Sequence, residues 1–397
     1  MDPVVLSQPG KVSLELLPPL ALYVHIPWCV RKCPYCDFNS HERAGALPER
    51  EYIEKLFLDL EAALPSMWGR RVLSVFLGGG TPSLFSPESI ETLLSGVRAR
   101  LQLEPAAEIT LEANPGTVEA ARFAGFRQAG VNRISVGVQS FDDRMLAALG
   151  RIHDADEARR AVAAALQSFD NVNLDLMYGL PGQTLAMARS DIGEAVRLGA
   201  PHVSAYQLTI EPNTVFWSKP PQLPQHDESA DMQLAAEDAL CAAGYGHYET
   251  SAFARPGHRC RHNLNYWEFG DYLGIGAGAH GKLSFAEHIV RHVRFKQPRD
   301  YMEKALAGQA VQEERTLAAS ELPFEFAMNA LRLIDGFDLS LFTARTGLPL
   351  HVLRRELEEA EVRGLIERDH LRLRPTLKGQ RFLNDLLQIF LKDPATT

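Results

Sequence analysis

Five cysteines in 397 residues are too few for a disulfide framework and point to a reducing compartment. No apolar run approaches the roughly 20 residues that cross a bilayer, which argues against membrane insertion. Cationic excess is missing too: 41 Lys and Arg stand against 50 Asp and Glu, a formal charge of −9. That excludes a chain built to coat nucleic acid or an anionic membrane. The stretch Met1–Gly10 has no positive start followed by an apolar segment, so a secretory signal is not expected, and it has no Arg, which argues against a mitochondrial presequence. The expected location is the cytoplasm.

What is present is ordinary globular material, 46% hydrophobic and 23% charged, in a length that allows two or three domains. Apolar runs of strand length alternate with stretches of helical period. Expected strands are Leu20–Ile26, Val72–Gly78, Glu108–Ala113, Arg133–Gln139, Val172–Met177, His202–Ile210 and His247–Ala252. Expected helices are Pro48–Leu64, Pro87–Leu101, Val118–Ala129, Asp154–Phe169, Thr184–Leu198 and Ala230–Ala243. The strands are continuously apolar rather than alternating, as in parallel strands buried on both faces. Six or more β–α repeats with right-handed crossovers imply an α/β fold, a parallel sheet curled into a full or partial barrel.

The rhythm breaks after Ala254. Residues 255–312 read as a His- and aromatic-rich extension, with Arg291–Val311 a connection plus a short helix. Residues 313–397 read as a mainly helical, winged-helix-like subdomain: helices at Pro323–Leu333, Leu339–Thr346 and Leu350–Arg363, a hairpin from Leu365 to Arg374, and a last helix from Lys378 to Leu391. That subdomain has many Glu and no basic recognition face, so no nucleic-acid contact is expected. The division is therefore 1–19, 20–254, 255–312 and 313–397.

The distribution of the cysteines carries the chemistry. Cys29, Cys33 and Cys36 crowd into eight positions after the first strand, while Cys241 and Cys260 stand apart. The loop lies at the carboxyl edge of the sheet, where α/β folds place their chemistry. Zinc would need a fourth ligand, for which His25 is the near candidate. A cubane iron–sulfur cluster usually takes four thiolates, and three would leave one iron open.

CxxxCxxC after a first strand resembles the radical S-adenosylmethionine (SAM) superfamily. The resemblance implies a partial (β/α)6 barrel holding a [4Fe-4S] cluster on Cys29, Cys33 and Cys36. The methionine amino and carboxylate groups of SAM chelate the open iron, and one electron cleaves the sulfonium to a 5′-deoxyadenosyl radical. Further motifs match at successive strand ends: GGGTPS after strand two, Glu112 in LEANP, Gln139 in GVQSF, Arg151, and Asp175 in NLDLMYGLPGQT. By resemblance, Tyr23, Gly79, Gly80, Thr81, Glu112, Gln139, Arg151 and Asp175 line the SAM pocket, with Tyr35 near the adenine. Taken singly, Glu112 or Asp175 reads equally as a satisfied buried carboxylate.

HIPWC, CPYCDF, GGGTPS, GVQSFDD and DLMYGLPGQT together resemble the branch that holds the oxygen-independent coproporphyrinogen III dehydrogenases and the haem chaperones of the HemW type. The dehydrogenases carry a further Cys two positions after the third ligand, where this chain has Phe38, and they have a longer segment before the motif. His262-Asn-Leu-Asn-Tyr-Trp267 matches the HNxxYW signature of the chaperones. Haem needs an axial ligand and flat apolar walls. His258, His262, His280, Tyr266, Trp267 and Phe269 are the local supply, His262 is the candidate haem-binding residue, and Arg259 and Arg261 are candidates for the propionates. The resemblance thus implies binding of haem and its delivery to apo-haemoproteins such as membrane-bound respiratory enzymes, with no catalytic residue and a homodimer allowed. Coproporphyrinogen III dehydrogenation stays open as the alternative activity, and a zinc-bound structural protein as a third reading.

Overall fold

A computed structural model describes residues 11–116 and 120–391. Twelve strands, β1 to β12 in chain order, form one open sheet. β1 Leu20–Ile26, β2 Arg71–Gly79, β3 Gln102–Ala113, β4 Arg133–Gln139, β5 Asn171–Tyr178 and β6 His202–Gln207 run parallel and adjacent. The burial of β1 is nearly continuous, Tyr23 being its one half-buried residue, as expected of a strand covered on both faces. Helices Glu49–Ala63, Pro87–Arg100, Ala155–Ser168 and Leu185–Leu198 follow β1, β2, β4 and β5. Local chemistry sets their ends. Asp154 accepts the Glu157 N–H at 2.7 Å in a capping box, and Gly130 closes the helix Phe123–Ala129 in the left-handed region at φ 106°. The expected helix Val118–Ala129 begins in part outside the described residues, at 117–119.

The expected strand His247–Ala252 is instead two antiparallel strands, β7 Gly246–Glu249 and β8 Ala252–Ala254, at the sheet edge. The break falls at Thr250, whose N–H bonds Arg332 O at 3.1 Å rather than the ladder. The stretch read as a connection contains a strand. β9 Asp271–Ile275 lies parallel to β1 on its other side, and β10 His280–Ser284, β11 Ile289–Arg294 and β12 Val311–Thr316 extend the sheet antiparallel. The segment 255–312 therefore supplies part of the same sheet. Charged and imidazole side chains interrupt β11, and pairing with β10 and β12, rather than its own pattern, makes it a strand.

The carboxy-terminal segment folds as helices Leu322–Ala330, Ser340–Thr346 and Arg354–Val362 beside a small sheet of Phe337–Asp338, Arg372–Pro375 and Ile366–Arg368. Its own core holds Phe326, Phe337, Phe342 and Leu373, and Val12 and Leu14 pack into it. The described part of the first nineteen residues is thus a strap, pinned by Leu14 N–H to Ala286 O at 2.8 Å. Among the described residues no helix is long and apolar enough to cross a membrane.

One buried charge cluster fixes β9 in the sheet. The fully buried Asp271 receives Arg70 and Lys282 at 2.8 Å each, the Ser284 hydroxyl at 2.8 Å and the Ser284 N–H at 2.9 Å. Burial opposes ionisation of Asp271, but the two cations outweigh it and hold the carboxyl below its ordinary value of 3.8. The ionised form therefore adds stability above that ordinary value, and the contribution is lost as pH falls through the depressed one. Asp271→Ala leaves the Lys282 charge unpaired, and is expected to lower unfolding stability at pH 7 by about 3–5 kcal/mol. Urea unfolding of variant and wild type at pH 7 checks this; a loss under about 1 kcal/mol, in the range of an exposed pair, counts against it.

Candidate cofactor and ligand site

The carboxyl ends of β1 to β6 point at a cavity of about 280 Å³. Cys29, Cys33 and Cys36 line it, and so do Tyr35, Gly79, Gly80, Thr81, Glu112, Gln139, Arg151 and Asp175. Of the residues expected at the SAM pocket, Tyr23 lies elsewhere, in the adjoining cavity described below, which also holds His262, the candidate haem-binding residue.

A chain of hydrogen bonds spans the mouth of the sheet. Thr81 donates to Cys29 Sγ at 3.5 Å, and Asn114 Nδ2 to Thr81 Oγ1 at 2.9 Å. Arg151 donates to Asn114 Oδ1 at 2.7 Å, to Gly137 O at 2.9 Å and to Cys33 Sγ at 3.6 Å. Cys36 Sγ lies 3.7 Å from the Ser40 hydroxyl. Burial pushes the Cys29 and Cys36 thiols up, while these hydroxyls oppose it by favouring thiolate. Among the described residues no three His, Cys, Asp or Glu side chains are gathered in ligating geometry. The donor set nevertheless suits an iron–sulfur cluster: three soft ligands open on one cavity, and hydroxyl and guanidinium groups support the sulfurs.

The glycine turn after β2 has a steric reason. Gly79 sits at φ 113°, and a Cβ there would fall 2.5 Å from the His25 ring; at Gly80 it would fall 2.7 Å from Trp28 O. The bare backbone thus packs against the loop that carries Cys29. Gln139 is a non-glycine residue at φ 68°, a conformation that costs energy and needs support. Asp191 supplies it, accepting the Ser140 hydroxyl and the Phe141 N–H at 2.7 Å each. Tyr206 then donates to Gln139 Oε1 at 2.8 Å.

Asp175 accepts from Ser135 at 2.9 Å and from Asn173 at 2.8 Å. Glu112 accepts the Gly79 N–H at 3.1 Å. Burial, followed by the nearby Asp175, pushes the Glu112 carboxyl up to about 8. The sequence reading did not single out Asn114, Ser135 or Tyr206. Asn114 was within reach of it, two residues after Glu112 at the same strand end; Ser135 and Tyr206 carry no local signal.

A second cavity, of about 750 Å³, shares Cys36, Phe38, Ser40, Gly79 and Glu112 with the first. One wall is aromatic: Tyr23, Phe76, Tyr266, Trp267 and Tyr272, with His262 among them. His262 stands on the helix Arg261–Trp267, its ring 4.9 Å from that of Phe76. Its Nδ1 lies 3.0 Å from the buried Ser74 hydroxyl, and burial lowers its pKa to about 3, which keeps the imidazole neutral. Nε2 has no hydrogen-bond partner among the described residues. His280 also lines this cavity. His258 and Phe269 do not: Phe269 is buried in the second core. Nor do the two arginines expected at the propionates. Arg259 pairs with Asp335 at 3.2 Å and Arg261 with Glu104 at 3.0 Å, because the backbone N–H groups of Arg261 and His262 bond the Glu108 carboxylate and turn the arginine outward.

The model of the Radical SAM superfamily matches residues 23–193, and that of the HemN C-terminal domain matches residues 317–382. The chain is 51% identical to the Heme chaperone HemW of Escherichia coli strain K12, over 95% of this chain and 99% of that protein. It is 36% identical to the mitochondrial Radical S-adenosyl methionine domain-containing protein 1 of Bos taurus, over 92% of this chain and 86% of the other. Among solved structures, the E. coli coproporphyrinogen III oxidase HemN superposes with a TM-score of 0.80 at 23% identity, covering 94% of this chain and 90% of that one; this shows a shared fold. Anaerobic reconstitution with iron and sulfide is expected to load wild type with about four irons per chain and to leave Cys33→Ser largely empty. Equal iron and sulfide content in the two proteins counts against the assignment. On its whole-length similarity to the curated relatives and on the fold it shares, the chain belongs to the HemW family of heme chaperones, within the radical SAM superfamily.

Proposed function

We propose that this chain binds haem in the 750 Å³ cavity and delivers it to apo-haemoproteins, while the smaller cavity holds a [4Fe-4S] cluster and SAM. The observation that carries this reading is the setting of His262, a neutral imidazole in an aromatic wall whose Nδ1 is held by Ser74. Ligation through Nε2 leaves Nδ1–H to donate to that hydroxyl, the arrangement that orients metal-bound histidine. The flanking rings of Tyr23, Phe76, Tyr266 and Trp267 offer flat apolar area to a macrocycle.

Cys29, Cys33 and Cys36 hold the cluster on this reading, and Gly79, Gly80, Thr81, Gln139, Arg151 and Asp175 bound the space for SAM, with Tyr35 toward the adenine. A cluster held there supplies a low-potential electron. Glu112 lies on the wall common to both cavities and, kept protonated near neutral pH, presents an O–H rather than a charge to either occupant. Membrane-bound respiratory enzymes are the proposed acceptors, the cytoplasm the compartment and a homodimer the proposed assembly.

Titration with haem under anaerobic conditions tests the reading. Wild type is expected to give a shifted Soret band. His262→Ala is expected to weaken binding at least about tenfold and move the band, as loss of an axial ligand does; Cys33→Ser is expected to bind haem while lacking iron–sulfur absorption. Protoporphyrinogen formation when reconstituted protein, SAM and a reductant meet coproporphyrinogen III would instead establish the dehydrogenase activity.

A further inference from the structure

The lining of the larger cavity also includes residues of different chemistry from its aromatic wall. Lys32, His41, His280 and Lys296 line it. Lys32 Nζ is 3.3 Å from Phe38 O and 3.3 Å from Ser40 O, both neutral acceptors. Lys282 is the lysine that forms an ion pair among the described residues, and it is elsewhere; Lys32 and Lys296 have none. Glu42 is near, but accepts the Lys32 backbone N–H at 2.9 Å. His41 Nε2 is buried without a hydrogen-bond partner. Two carboxyl groups share the lining. Asp37 is exposed, and Glu112 lies on the wall toward the thiols.

The two lysines come from separate parts of the chain and are held in one frame. Asn39, in the cysteine loop, donates through Nδ2 to Ala277 O at 2.9 Å and to Lys296 O at 2.8 Å. His25 Nε2 lies 2.8 Å from Asn39 O and secures the same loop from β1. The backbone positions that carry the two lysines are therefore tied to one another through Asn39. Lys32, whose ammonium meets only carbonyl oxygens, and Lys296, which forms no ion pair among the described residues, keep their charge available, and a carboxylate is the acceptor that completes them.

We infer that the Lys32–Lys296 wall is a carboxylate subsite, which receives the propionates of the macrocycle whose metal faces His262. This rests on the haem reading above and deepens it. The cavity selects a flat ligand with an apolar body and anionic substituents at one edge, and it discriminates by charge as well as by the metal. Arg259 and Arg261, nearer in sequence to His262, take no part because each is engaged outside the cavity.

Four ligands separate the contributions: haem, its dimethyl ester, metal-free protoporphyrin IX and the dimethyl ester of that. Wild type is expected to bind haem at least about tenfold more tightly than the ester, the scale of one or two charge-assisted hydrogen bonds. Lys32→Ala/Lys296→Ala is expected to bind both alike, with the Soret position of bound haem unchanged because His262 remains. Lys296→Ala alone, distant in sequence from the cysteines, is expected to move the same way, and Lys32→Arg/Lys296→Arg to restore the preference. His262→Ala is expected to keep the preference for free carboxylates, read with protoporphyrin IX and its own dimethyl ester. Equal affinity of wild type for haem and ester overturns the subsite, as does an equal loss of both in a lysine variant with wild-type melting temperature and iron content. If neither iron porphyrin perturbs the wild-type spectrum, the haem reading itself falls, and the subsite with it.

Discussion

The organisation of this molecule depends on a row of hydrogen bonds that runs from Cys29 through Thr81, Asn114 and Arg151 to Cys33. The five residues come from the segments that follow β1 to β4, with Cys29 and Cys33 sharing the first. Parallel strands deliver their ends to one edge, and the row binds that edge into a single surface. It also solves an electrostatic problem. Burial raises the Cys29 thiol pKa, the Thr81 hydroxyl opposes that, and the Arg151 guanidinium lies against the Cys33 sulfur. Asn114, with an amide donor and an amide acceptor, is the link that can satisfy both neighbours at once.

The same loop is tied in a second direction. Asn39 fastens it to the turn after β9 and to Lys296 beyond β11, strands that lie outside the six-unit alternation, and His25 of β1 holds Asn39 in turn. The cysteine loop is thus a partition between the two cavities, and Cys36, Phe38, Ser40, Gly79 and Glu112 belong to both. Any occupant of the larger cavity touches the wall that shapes the smaller one. The lining of the larger cavity combines aromatic rings and His262 with the cations Lys32 and Lys296, a mixture that suits a flat ligand with an apolar body and a charged edge.

Much of the barrel was legible because its signals are local. The apolar runs of β1 to β6, the capping box at Asp154 and the left-handed Gly130 each report their element within a few residues. The cysteine spacing, the glycine turn and the acids at strand ends stood out for the same reason, and the structure gathers nearly all of them at one cavity. Tyr23 shows the limit. It was expected with that set, but at position 23 it faces the β2 residue Phe76 and the helix that carries His262, and so lines the other cavity. Arg259 and Arg261 show another limit, since proximity in sequence to His262 said nothing of Glu108, whose carboxylate sets the orientation of that helix start.

Taken by itself, the sequence determined the repeating β–α order, the position of the thiols at a strand-to-loop edge, and the presence of a histidine in an aromatic-rich segment. These follow from short-range patterns: side-chain period, turn chemistry and ligand spacing. Tertiary structure alone decided that β9 to β12 join the sheet beside β1, that Val12 and Leu14 serve the distant second core, and that Lys32 and Lys296 face one space across more than 260 positions of chain. The physical reason is that strand pairing, buried charge compensation and cavity walls are contacts between segments, and no single segment carries the pattern of its partner.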